Sequence, residues 1–278
     1  MLDLAKRTWK TYVTDVRDEA DAESAAYRAS TPASVVTRRI AIVVVGAALC
    51  MMIIRFAGNI EDPKWMRKIL VPIGLGEISA WFEQAVTKAP DRKINQRIWW
   101  AIARVVAYLV IPLAIARFLL KSRASDMGLS IRGASQWRLY ALMLAVVMPF
   151  VVAASYGTGF QAKYPYYRVA PGEPLFPGFV MWELLYAVNF LGVEFFFRGF
   201  FLHGLRREVG YACVFFPLVP YVTIHWGKPL AEAVGSIITG FVLATMSLKT
   251  RSVWGGTFLH VFVAVSMDCL SLWHRGLL

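Results

Sequence analysis

Four residues in the C-terminal half of this chain carry side chains that do chemistry, in places where such side chains are costly. Residues 192–204 read GVEFFFRGFFLHG, and Glu194 and Arg198 stand inside that apolar run. His225 follows in YVTIHWGKP and His260 in GGTFLHVFVA. A charge at the middle of a membrane-spanning helix costs about 2.5–3.5 kcal/mol on insertion scales, and ionisable groups kept there are functional by default. Glu194 and Arg198 are four apart, about 40° round a helix, so the two can meet, with the glutamate on the favourable N-terminal side. Two readings stay open at this point: an ion pair that locks the helix to its neighbours, or a reactive carboxylate held by an arginine.

The histidines bear on that choice. There are only four. His203 lies nine residues after Glu194 and about 180° round the same helix, and His274 is at the C-terminal edge; both read as bystanders. His225 and His260 lie in two further apolar segments. One carboxylate and two imidazoles from three segments suit hydrolysis inside a membrane. Glu194 is the candidate base for a water, with burial raising its pKa and Arg198 lowering it. Neutral imidazoles are candidates to position that water or to hold the developing oxyanion. The same three residues, Glu194, His225 and His260, are alternatively candidate ligands for a divalent metal such as zinc with an open position, although HExxH is absent. Lys228 and Glu232, at i and i+4 beside Pro229, and Asp268 are candidate supports; an interfacial ion pair and a backbone contact are their plain alternatives.

The elements that position these groups follow from composition. Of 278 residues 58% are hydrophobic and 17% charged, against about a quarter charged in soluble domains. The fold class expected is an all-α, polytopic transmembrane bundle of seven or eight spans. Clear spans are read at about 40–57, 98–120, 137–156, 178–204, 210–225, 232–249 and 253–273, each near the length a 30 Å bilayer requires. Residues 59–97 leave the eighth undecided, because 69–86 is long enough to cross but carries Glu77, Glu83 and a proline. The domain reading is a polar arm over 1–39 and one transmembrane domain over 40–278, its active half at 178–273. The net charge of +12 is read as loop charge facing the cytoplasm rather than as a nucleic-acid surface. That reading puts the N-terminus in the cytoplasm and makes the bilayer and a membrane protein or peptide the partners, with no nucleic acid. The site is expected to open toward the cytoplasm. Cys50, Cys213 and Cys269 form no CxxC pair or zinc spacing and read as small apolar side chains.

At these residues the sequence resembles the CPBP family of intramembrane proteases, the group of the CAAX prenyl endopeptidases and of bacteriocin-processing and immunity proteins. The family's motifs are EExxxR, FxxxH and a later HxxxN/D. Here they read VEFFFR over 193–198, Tyr221-Val-Thr-Ile-His225, and His260-Val-Phe-Val-Ala264. The sequence also looks like a branch of that family carrying EFFFRG and then HxGKPxxE, with Lys228 and Glu232 in the second motif. The resemblance implies an intramembrane endopeptidase that hydrolyses a peptide bond with a glutamate-activated water. It implies Glu194, His225 and His260 as the acting residues, with Arg198, Lys228, Glu232 and Asp268 in support. Val193 stands where the family has its first glutamate, and Ala264 where it has Asn or Asp. Either this branch works with a rearranged site, or it keeps the fold as a catalytically inactive membrane scaffold or immunity factor. A small proton-coupled transporter is a weaker third reading, since neither an inverted repeat nor a broken-helix pair is visible.

Overall fold

The computed structural model describes residues 2–58, 64–131 and 136–278. The polar arm carries helix α1 (Asp15–Ser30). Among the described residues six helices are long and apolar enough to cross a membrane: α2 (Ala33–Ala57), α3 (Arg92–Leu119), α4 (Trp137–Ser155), α5 (Gly178–Val214), α7 (Leu230–Thr250) and α8 (Trp254–His274). The chain is an integral membrane protein with a helical bundle fold. Between α5 and α7 it returns through a broken segment that holds only the short helix α6 (Leu218–Thr223). Pro217 caps α6 and Pro220 lies in its first turn, where a missing N–H costs nothing. The turn at 224–229 ends at Pro229, the N-cap of α7. The fifth expected span is therefore this broken return, which is how His225 reaches the interior instead of marking the end of a straight helix. Residues 64–87 form the separate helices Lys64–Leu70 and Gly76–Thr87, neither long enough to span.

Helix α5 is the centre of the bundle. Half of its most apolar window is buried, against 17–44% for the other five. This is why VEFFFRGFF carries no polar face. A helix that is apolar all round is enclosed by protein or lipid, and Phe195, Phe196, Phe197, Phe200 and Leu202 are all fully buried. Their partners include Val43 and Ala47 of α2 and Tyr108 of α3. Phe118, Phe150, Leu184 and Ile238 point outward, as lipid-facing residues do. From Phe195 to His203 the helix widens to π hydrogen bonding, a distortion frequent at functional sites.

The arm is clamped to one end of the bundle. Glu23 accepts from Arg206 at 3.0 Å, Arg207 at 3.3 Å and Arg251 at 3.0 Å, and Asp21 accepts the backbone N–H of Tyr211 at 2.8 Å. Arg251 also meets Glu19 at 2.8 Å, which helps hold it in the left-handed backbone (φ 53°) that ends α7. Exposed pairs of this kind contribute little singly; here one carboxylate gathers three arginines from two helices.

Candidate active site

Glu194 closes the regular part of α5, and two helices deliver its partners. Arg198, one turn on, donates Nη1–H to Glu194 Oε1 at 2.9 Å, with both side chains all but excluded from solvent. From α8, His260 Nδ1 comes within 2.7 Å of the same oxygen. The contact is close without meeting hydrogen-bond geometry. The other nitrogen, His260 Nε2, is 3.0 Å from the Tyr221 hydroxyl of α6. The Tyr221 ring lies under Arg198, with the guanidinium carbon 4.1 Å from its centroid. Tyr221 also accepts, on its backbone carbonyl, the Nδ1–H of His225 at 2.8 Å. Arg198, His260 and His225 thus meet around one tyrosine, and Glu194 contacts the first two of them.

A cavity of about 1530 Å³ opens beside this cluster. Tyr186, Asn189, Phe190 and Val193 form its α5 wall, one face at i, i+3, i+4 and i+7. His225, His260, Lys228 and Glu232 also line it. Glu194 does not. It is 1% exposed and sits behind His260, its Oε2 pressed toward Gly256. A Cβ built on Gly256 would overlap that oxygen. The hundred-degree turn between consecutive residues decides this. Val193 faces the cavity and Glu194 faces α8. Gly256→Ala is accordingly expected to push the carboxylate off His260, destabilising the fold by about 1–3 kcal/mol and cutting activity further than stability alone would. Thermal unfolding and cleavage measured on the same sample check it.

Lys228 and Glu232 form an ion pair at 3.1 Å. Tyr164, which the sequence reading did not single out, completes a closed triangle with them: its hydroxyl accepts from Lys228 at 2.7 Å and donates to Glu232 at 2.8 Å. Burial, reinforced by the neighbouring Glu232 carboxylate, raises the Tyr164 pKa and keeps that phenol protonated. Burial also lowers the His225 pKa below the ordinary imidazole value. With its Nδ1 proton given to the Tyr221 carbonyl, His225 has a lone pair on Nε2.

Asp268 is not brought to this cluster. It is fully buried, accepts the backbone N–H of Tyr166 at 3.1 Å, and so ties the connector after α4 to α8. Glu183 has both carboxyl oxygens buried and adjoins Asp268. His203 bonds Ser247 at 3.1 Å, away from the site. Among the described residues no group of three or more His, Cys, Asp and Glu is arranged to hold a metal. Glu194 is held by Arg198 and His260 and does not line the cavity, so it is not presented to a metal beside His225 Nε2.

The cavity reaches the end of the bundle away from the arm, where Gly157, Gly159 and Trp226 line it. A cytoplasmic arm and a cytoplasmic mouth were both expected; in this structure they exclude each other, because the arm binds the opposite ends of α5 and α7.

The model of the type II CAAX prenyl endopeptidase Rce1-like family matches residues 175–266. That third of the chain contains Glu194, Arg198, Tyr221, His225 and His260. No curated protein and no solved structure matches the chain.

Proposed function

We propose that this chain, a member of the CAAX-protease family through residues 175–266, is a working intramembrane endopeptidase whose water is handled by histidines. The observation that carries this reading is the convergence of His225 and His260 on one cavity through Tyr221, with Glu194 enclosed behind His260. Glu194 acts through His260 and does not touch the water. Its charge orients the ring so that Nε2 holds the Tyr221 hydroxyl at the cavity wall. His225 Nε2 takes a proton from water as the water oxygen bonds to the substrate carbonyl carbon. As the oxyanion forms, the Tyr221 hydroxyl turns its one proton from His260 Nε2 to that oxygen. The C–N bond then breaks, the nitrogen leaves with the proton from His225, and a carboxyl and an amine result. The arm is assigned to the cytoplasm, which places the cavity mouth on the other face. The substrate is a membrane protein or peptide, and no metal is invoked.

One observation favours a second reading, an inactive scaffold or immunity factor of the same fold. Val193 puts methyl groups on the cavity wall where the family's motif has a carboxylate. Purified protein incubated with membrane peptides of its source decides between them. Cleavage by the wild type that disappears in His225→Ala, with helicity and unfolding temperature unchanged, supports the endopeptidase. A folded wild type that cleaves none of them supports the scaffold.

A further inference from the structure

Residues 69–78 read ILVPIGLGEI, apolar apart from Glu77. They form the tip of a hairpin whose two limbs are the helices Lys64–Leu70 and Gly76–Thr87. A short 3₁₀ turn, Val71–Ile73, joins the limbs, and Gly74 makes the reversal with a φ of 82°. Ile69, Val71, Ile73, Leu75, Ile78 and Trp81 are all exposed, Ile73 by 64% and Trp81 by 68%. A contiguous apolar group of this kind marks a surface that a partner or a membrane covers. The opposite face is already packed. Ser79, Phe82 and Val86, at i, i+3 and i+7, are buried, and Phe82 and Val86 cluster with Met66.

The register of the hairpin against α3 shows which way its tip points. Asn95 donates Nδ2–H to the Ala85 carbonyl at 3.1 Å, and Gln96 donates Nε2–H to the Val86 carbonyl at 2.7 Å. Phe82 meets Trp99 edge to face at 4.6 Å. Going back from Val86 to Phe82 therefore goes forward along α3 from Gln96 to Trp99, and the two helices are antiparallel. The apolar run of α3 begins at Ile98. Gly76 lies ten residues before Val86, about 15 Å along the helix axis, so the hairpin carries its tip in the direction in which α3 enters the bilayer. The backbone of the tip suits a place short of water, where unpaired polar groups are costly. Gly74 N–H reaches the Val71 carbonyl at 3.1 Å and Leu75 N–H the Leu70 carbonyl at 2.9 Å, and Pro72 has no N–H to satisfy. Glu77 sets the depth. A charge costs most at the bilayer centre and less toward the interface, and this one stands in the first turn of its helix, where the dipole favours it.

We propose that the hairpin 64–87 is a monotopic anchor, its tip from Ile69 to Ile78 seated at the boundary of headgroups and acyl chains in the leaflet away from the arm. Elements of this kind sink about 5–10 Å and carry basic residues beside an apolar face. Arg67 and Lys68 are exposed on the first limb, with side chains long enough to reach back to the phosphates. Lipid phosphates complement these two cations, whereas a second copy of the chain meeting the same face would bring the same cations. The anchor stands beside the cavity. Trp99, against Phe82, donates Nε1–H to the Ala57 carbonyl at 2.8 Å, and the next residues, Trp100 and Gly58, line the cavity wall. Seating the hairpin thus fixes the ends of α2 and α3 at the leaflet surface where the cavity opens. This holds whether or not the chain cleaves peptides.

The test attaches an NBD fluorophore at Ile73→Cys in the full chain, and separately at Thr87→Cys and Asp18→Cys, in nanodiscs of phosphatidylcholine and phosphatidylglycerol. Each chain also carries Cys269→Ala; Cys50 and Cys213 are buried and inert to the label. The three labelled positions are exposed, so no packing is lost, and an unchanged unfolding temperature checks this. The label at position 73 is expected to be quenched by lipid bearing a doxyl group near its headgroup, and about tenfold less by aqueous iodide than the label at position 18. The label at position 87, at the base of the hairpin, should respond to iodide. Equal iodide quenching at positions 73 and 18 overturns the anchor. Protection of position 73 from both iodide and doxyl lipid, with more than one chain in each disc, overturns it in favour of a second copy.

Discussion

Glu194→Gln is expected to lose both fold stability and activity, and the two losses separate cleanly. The substitution leaves the Arg198 guanidinium buried and unpaired, with Nη2 already lacking a partner in the wild type. Breaking one side of a buried ion pair costs about 3–5 kcal/mol, a large share of a marginal total. A conservative double variant separates the terms. Glu194→Gln with Arg198→Met removes both charges, and replacing a buried pair by apolar groups is often neutral or better. The double variant should regain most of the unfolding temperature. It should not regain cleavage, because His260 still lacks the charge at its Nδ1. Recovery of both would mean that the pair serves only the fold, and the part assigned to Glu194 would fall. Unfolding of each variant in the same detergent, alongside cleavage, gives the answer.

His225→Ala and His260→Ala are expected to lower cleavage by about 10²–10⁴-fold, the range typical of a lost acid–base group, while leaving the fold nearly intact. Both side chains are partly exposed to the cavity, so truncation opens no sealed void. The two differ in their pH behaviour. His225 works with a bare Nε2, and burial holds its pKa below the usual imidazole range. Cleavage should therefore stay level as pH falls through 6.5 and decline only lower, when His225 takes up a proton. In His225→Ala that acid limb should vanish from the residual kcat/KM; in His260→Ala it should persist. A limb that survives His225→Ala would assign the base elsewhere.

Much of this site is legible without coordinates because charge in an apolar run is conspicuous. Each of Glu194, Arg198, His225 and His260 stands in a segment built mostly of apolar residues. Four-residue spacing alone predicts the Glu194–Arg198 contact, since the helix repeat brings such residues together. Composition likewise predicts a helical membrane bundle, because only helices or closed barrels satisfy every backbone polar group in lipid.

Tertiary packing settled three things that no spacing rule reaches. It decided which way Glu194 faces. A run of aromatics enclosed on all sides has no polar face to mark its orientation, so only the closeness of Gly256 and His260 reveals that the carboxylate turns to α8 and that Val193 meets the cavity. It brought His225 inward, because two prolines and a turn break the return segment where hydropathy alone suggests a straight span. It also gathered residues that look ordinary in sequence, Tyr164, Asn189 and Arg104, onto the wall beside the reactive groups. Chemistry-bearing residues announce themselves locally by the cost of burying them. The direction each one faces is a property of the neighbours it packs against, and those come from distant parts of the chain.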